Sequence, residues 1–152
     1  MKWYQKHTSL ITEIIGYLFM LLFVFAAATK LIERDSFFNN LNNSPIIYHQ
    51  TMATIVSWII PILEIAVAML IAWPKTRKKG LYGALILMIF FTFYSAGIVF
   101  FSPYTSCSCG GIITLLNWPQ HLMLNIVLIL LALTGIKLYR KKKPQLPYSK
   151  AE

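Results

Sequence analysis

Residues 51–73 read TMATIVSWIIPILEIAVAMLIAW, an apolar run interrupted by a single charged side chain, Glu64. A helix that crosses the hydrocarbon of a bilayer needs roughly 20 consecutive apolar residues, so this stretch predicts a membrane span. Three further runs have the same character, from about Thr8 to Thr29, Gly80 to Phe101 and His121 to Tyr139. The chain of 152 residues is 57% hydrophobic and only 12% charged, where a soluble domain carries about a quarter charged residues. The spans leave no room for a separate soluble domain. The expected fold is all-α, an integral membrane four-helix bundle forming one domain over residues 1–152, with a basic tail at 140–152.

The fourteen Lys and Arg residues set an expected orientation. Lys2 and Lys6 precede the first span, and Lys75, Arg77, Lys78 and Lys79 fill the turn between the second and third. Lys137, Arg140, Lys141, Lys142, Lys143 and Lys150 end the fourth span and its tail. Only Lys30 and Arg34 lie on the other side, offset by Glu33 and Asp35. Positive-inside counting therefore predicts both termini in the cytoplasm. The net charge of +9 is concentrated in these juxtamembrane runs, where it fixes topology and touches anionic headgroups; it is no footprint for nucleic acid. Ala26-Ala27-Ala28 resembles a leader-cleavage site, but the apolar run is long for a signal core and the chain continues as a helix end. Helix 1 is expected to be retained.

Between the first two spans, residues 31–50 mix asparagines with Phe37, Phe38, Leu41, Ile46 and Ile47. That mixture predicts an ordered cap with a short amphipathic helix lying on the bundle. Trp3, Trp73 and Trp118 fall near span boundaries, as interfacial anchors do. Each span also carries small or polar residues at helical spacing, which predicts its inner face. These are Glu13, Gly16, Met20 and Ala27; Thr54, Ser57, Pro61, Glu64 and Ala68; Gly83, Ala84, Thr92, Ser95 and Ala96; and His121, Asn125, Ala132 and Gly135.

The chemistry concentrates in Cys107-Ser108-Cys109-Gly110-Gly111, which holds both cysteines of the chain. Charge counting puts this linker on the extracytoplasmic face, where disulfides persist. Residues two apart have Cα atoms roughly 5.5–7 Å apart when extended, near the upper part of the disulfide range. A Cys107–Cys109 bond would be strained, and strained exposed disulfides are the labile, catalytic ones. Buried structural thiols, or a soft metal site for Cu(I), are the competing readings; two thiolates with His121 fall short of a closed zinc shell, and no metal is expected.

Glu64 lies close to the middle of its span, three residues after Pro61. An intramembrane carboxylate is costly and a functional candidate by default, and burial favours its neutral acid unless a cation lies nearby. A protonated Glu hydrogen-bonded between helices is the plain structural alternative. Pro61 leaves the Ser57 carbonyl without its helical donor, opening a polar spot. His121 and Asn125 share one face of the last span, and an imidazolium beside a thiol speeds exchange; a wetted interfacial histidine is the bland reading. Glu13 reads as structural. Lys30 could bend inward, but snorkelling toward the headgroups is the expected conformation.

These residues together resemble the MauE/DoxX-like family of redox-associated four-helix membrane proteins. The matching features are Lys30-Leu31, the F-N-N-L-N-N-S-P run from Phe38 to Pro45, and Pro61-Ile62-Leu63-Glu64. To these are added Cys107-Ser108-Cys109-Gly110-Gly111 and W-P-Q-H-L-M-L-N from Trp118 to Asn125. The resemblance implies assistance in disulfide formation in exported proteins, of the methylamine-dehydrogenase-maturation type. The partner would be a periplasmic thioredoxin-like protein or a disulfide-rich client at the bacterial inner membrane. The layout also looks like that of the disulfide-forming quinone reductases, but this chain has C-x-C and no second cysteine pair. Two readings stand. In one, Cys107 and Cys109 cycle as a thiol–disulfide oxidoreductase, His121 supports them, and Glu64 with Asn125 lines a pocket that would admit a quinone. In the other, the bundle is a non-enzymatic accessory subunit stabilising a membrane complex, with structural cysteines. A small transporter using Glu64 is a third, weaker candidate.

Overall fold

A computed structural model describes residues 2–44, 47, 49–101 and 118–141. Five helices follow one another: α1 (Lys2–Ile32), α2 (Arg34–Asn42), α3 (Gln50–Ala72), α4 (Arg77–Phe101) and α5 (Trp118–Lys141). No strand occurs among the described residues. Four of the helices contain stretches long and apolar enough to cross a membrane: Leu10–Ile32, Gln50–Ala72, Arg77–Phe101 and Pro119–Tyr139. The spans were thus legible from hydropathy, while the helices run past the apolar limits at several ends, because helical hydrogen bonding continues into the polar flanks.

The spanning helices pack in a ring, α1 beside α3 and α5, and α4 beside α3 and α5. One end of the bundle carries the tight α3–α4 turn and is called here the turn end. The other, where α2 lies and where α4 stops and α5 starts, is the loop end. Leu21, Met69, Phe90, Phe93 and Leu130 face outward, as side chains must where the surrounding solvent is hydrocarbon. Inside, Phe19, Phe23, Ile71, Leu81, Leu87, Met88 and Leu128 belong to one apolar cluster, with Phe19 and Phe23 stacked at 6.2 Å between centroids.

Close approach at the turn end is set by glycine. A Cβ on Gly80 would fall 2.7 Å from the Ile71 backbone nitrogen, and one on Gly135 would fall 3.0 Å from Ile15 Cγ2. The last carbonyls of α3 have no helical donors. Thr76 Oγ1 donates to Leu70 O at 2.8 Å and Arg77 Nε donates to Ile71 O at 3.1 Å, which closes the turn.

The expected cap is present as α2, which packs on α3 and α1 with Leu41 buried beneath it and the Arg34 guanidinium 4.4 Å from the Trp58 ring centroid. The inner-face stripes need two corrections. Ser57, Pro61, Glu64, Ala68, Ala84, Ser95, Asn125, Ala132 and Gly135 are buried, but Glu13 and Thr54 are exposed. Each is one residue, or about 100° of helix, from the residue that is buried, Thr12 and Ala53. On α1 the expected Gly16 and Ala27 are buried, and the bulky Ile15, Phe19 and Phe23 share the inner face with them.

Candidate functional site

Gly16 abuts Ile71, which puts those two residues level in the antiparallel α1–α3 pair. Counting outward at 1.5 Å per residue, Lys30 comes level with Ser57, about 10 Å short of Glu64 along the axis. The gap closes because every Cα–Cβ bond in a helix tilts toward that helix's N-terminus. On α1 that tilt points Lys30 toward the turn end, and on α3 it points Glu64 toward the loop end. The two side chains meet between the helices, Lys30 Nζ lying 2.6 Å from Glu64 Oε1.

This corrects the snorkelling expectation for Lys30. The ammonium also donates to Ala26 O at 3.4 Å and lies 5.5 Å from the Phe91 ring centroid and 5.8 Å from that of Phe37. A carboxylate with 0% exposure supplies a stronger reason to turn inward than headgroup water does to turn outward. The Lys30 side chain keeps 19% of its surface exposed. Glu64 Oε2 is sealed inside the protein and has no hydrogen-bond donor.

Asn125 does not meet Glu64. Its amide donates to Ser95 Oγ at 3.4 Å, both residues being buried. His121 stands one turn closer to the loop end on the same face of α5, half-buried and close enough to Lys30 to feel its charge. Lys30 from α1, Ser95 from α4, and Asn125 with His121 from α5 put polar groups in the loop-end half of the bundle, and Glu64, past the middle of α3 toward Ala72, is joined to that half through Lys30. Toward the turn end the interior continues as Phe19, Phe23, Leu87, Met88 and Leu128. These side chains form an apolar plug on the turn-end side of Lys30 and Asn125.

The sequence singled out Glu64, Asn125 and His121 as site residues; Asn125 and His121 lie one turn apart on α5, while Glu64 is held by Lys30 of α1. Lys30, Phe37 and Phe91 were not assigned to the site. The available signal was that Lys30 is one of only two cations on its side of the membrane. Cys107 and Cys109 lie outside the described residues. Among the described residues no group of three or more His, Cys, Asp or Glu side chains is arranged to hold a metal ion.

Residues 8–138 match the family model described as Methylamine utilisation protein MauE. Comparison with curated proteins and with solved structures gives no match.

Proposed function

The chain belongs to the MauE family, with a match that runs through all four spanning helices, and from that premise we propose that it is a thiol–disulfide protein serving exported clients. Cys107 and Cys109 form the working pair. Their disulfide oxidises a dithiol in a thioredoxin-like partner or a disulfide-rich client by exchange through a mixed disulfide. The client gains the S–S bond, and the pair is left as two thiols. His121 supports thiolate formation. The turn end, with its basic residues, is the cytoplasmic side of a bacterial inner membrane, and the loop end is extracytoplasmic.

The observation that carries this reading is the location of the polar layer. Lys30, Ser95, Asn125 and His121 lie in the half of the bundle nearest to Phe101 and Trp118, the ends between which the segment with both cysteines runs, and Lys30 extends that layer to Glu64. Returning the dithiol to a disulfide removes two electrons and two protons. A lipid-soluble quinone is the proposed acceptor class, taking both electrons and both protons and leaving as the quinol, with Glu64 and Asn125 the polar side chains proposed to face it.

Thiol trapping in intact cells tests the proposal. The pair is expected to be recovered largely as a disulfide, and an impermeant maleimide is expected to label it from outside after reduction. Cys107→Ser and Cys109→Ser, each unable to form the pair's disulfide, should both stop client oxidation. A client oxidised normally in Cys107→Ser would instead support the accessory-subunit reading with structural cysteines.

A further inference from the structure

Arg77 is as enclosed as Lys30, yet it has no acidic counterpart. Its side chain is 9% exposed, its Nε is held by Ile71 O, and its Cζ lies 5.4 Å from the Tyr17 ring centroid. Gly16 makes room for the stem, since a Cβ there would come 3.4 Å from Arg77 Cδ. Among the described residues no carboxylate is paired with it, and the first turn of α4 contains no acid. Glu13, one turn toward the N-terminus on the same face as Tyr17, is exposed and makes no bond to Arg77.

Among the described residues the two terminal amino groups of Arg77 thus find no acceptor, and they are not among the buried atoms without a partner. Enclosing a guanidinium without a counter-charge is costly. The negative end of α3 offsets part of that charge, but the positive end of α4 starts at the same place and works against it. Exposed Lys75, Lys78 and Lys79 add to the positive field. The missing partner is an anion that reaches the turn end of the spans.

We infer that Arg77 is the anchor of a binding site for the phosphate of an anionic phospholipid, in the leaflet at the turn end. A guanidinium fork matches two phosphate oxygens, and Ile71 O and the Tyr17 ring hold the fork in place before the lipid arrives. Tyr17, 53% exposed, flanks the glycerol region, and Lys78 and Lys79 add attraction for a headgroup with net negative charge. This site lies at the opposite end of the bundle from the polar layer and does not depend on thiol chemistry.

The test uses the full chain, purified in a neutral detergent, with phosphatidylglycerol, phosphatidylcholine and inorganic phosphate as probes. Lipid retained per protein is read by native mass spectrometry, and stabilisation by thermal unfolding. Phosphatidylglycerol is expected to bind and to raise Tm, phosphatidylcholine to do so far less, and millimolar inorganic phosphate to leave both unchanged. Arg77→Gln should weaken phosphatidylglycerol binding about tenfold or more, the loss of a charge-assisted bidentate pair. Lys79→Gln, on the exposed side, should weaken it only about twofold. Arg77→Lys keeps the charge and stem but lacks the fork, and should also bind weakly, so the test survives if Arg77→Gln fails to fold. Equal binding of the two lipids, displacement by inorganic phosphate, or undiminished binding in Arg77→Lys would each overturn the site.

Discussion

Lys30→Met alone is expected to cost the fold about 3–5 kcal/mol, the usual result of stripping one partner from a buried ion pair. Glu64 has 0% exposure and would be left with no cation beside it. It would also lose its only hydrogen bond, since Oε2 already has none. Glu64→Met alone should cost a comparable amount, leaving the ammonium between two phenyl rings with only the Ala26 carbonyl as a hydrogen-bond acceptor. The Lys30→Met/Glu64→Met double variant should recover most or all of the loss, because a buried pair replaced by apolar side chains of similar size is often neutral or better. Unfolding in mixed micelles measures all three. Additivity of the two single effects within about 0.5 kcal/mol would show that the pair is not coupled. The double variant also separates stability from purpose: if the pair serves the chemistry, that protein folds well and client oxidation is lost.

Gly80→Ala should be the most damaging single-methyl change in the bundle. Its Cβ would lie 2.6 Å from Ile71 Cγ1, 2.7 Å from Ile71 N and 2.9 Å from Leu70 C. Two of those three atoms are backbone at the end of α3, so relief requires moving one helix against the other. Overpacking ordinarily costs 1–3 kcal/mol, and a loss of about 3 kcal/mol is expected here. Gly83→Ala is the internal comparison. Its nearest neighbour is Val67 Cγ2 at 3.0 Å, a side chain free to give way, so the loss should stay below about 1.5 kcal/mol. Equal losses at the two positions, read by thermal unfolding in the same detergent, would mean that the α3–α4 backbone approach is looser than described.

Phe19 and Phe23 are fully buried on the turn-end side of Lys30, so apolar side chains fill the interior between that ammonium and the turn end.

Hydropathy is a local property, so the residues themselves determined the four spans, the all-α architecture and the short helix α2. The cysteine pair and the expected orientation are likewise read from the chain alone. What an inward-facing side chain meets is a different matter. It depends on helix register, and register is decided by contacts far apart in sequence, such as Gly16 against Ile71 and Gly80 against Leu70. Only the tertiary structure could therefore turn Lys30 from a snorkelling cation into the partner of Glu64. It also moved Glu13 and Thr54 off the inner face and sent the Asn125 amide to Ser95. At the turn end it made one of four neighbouring basic residues, Arg77, a buried charge with no paired carboxylate among the described residues.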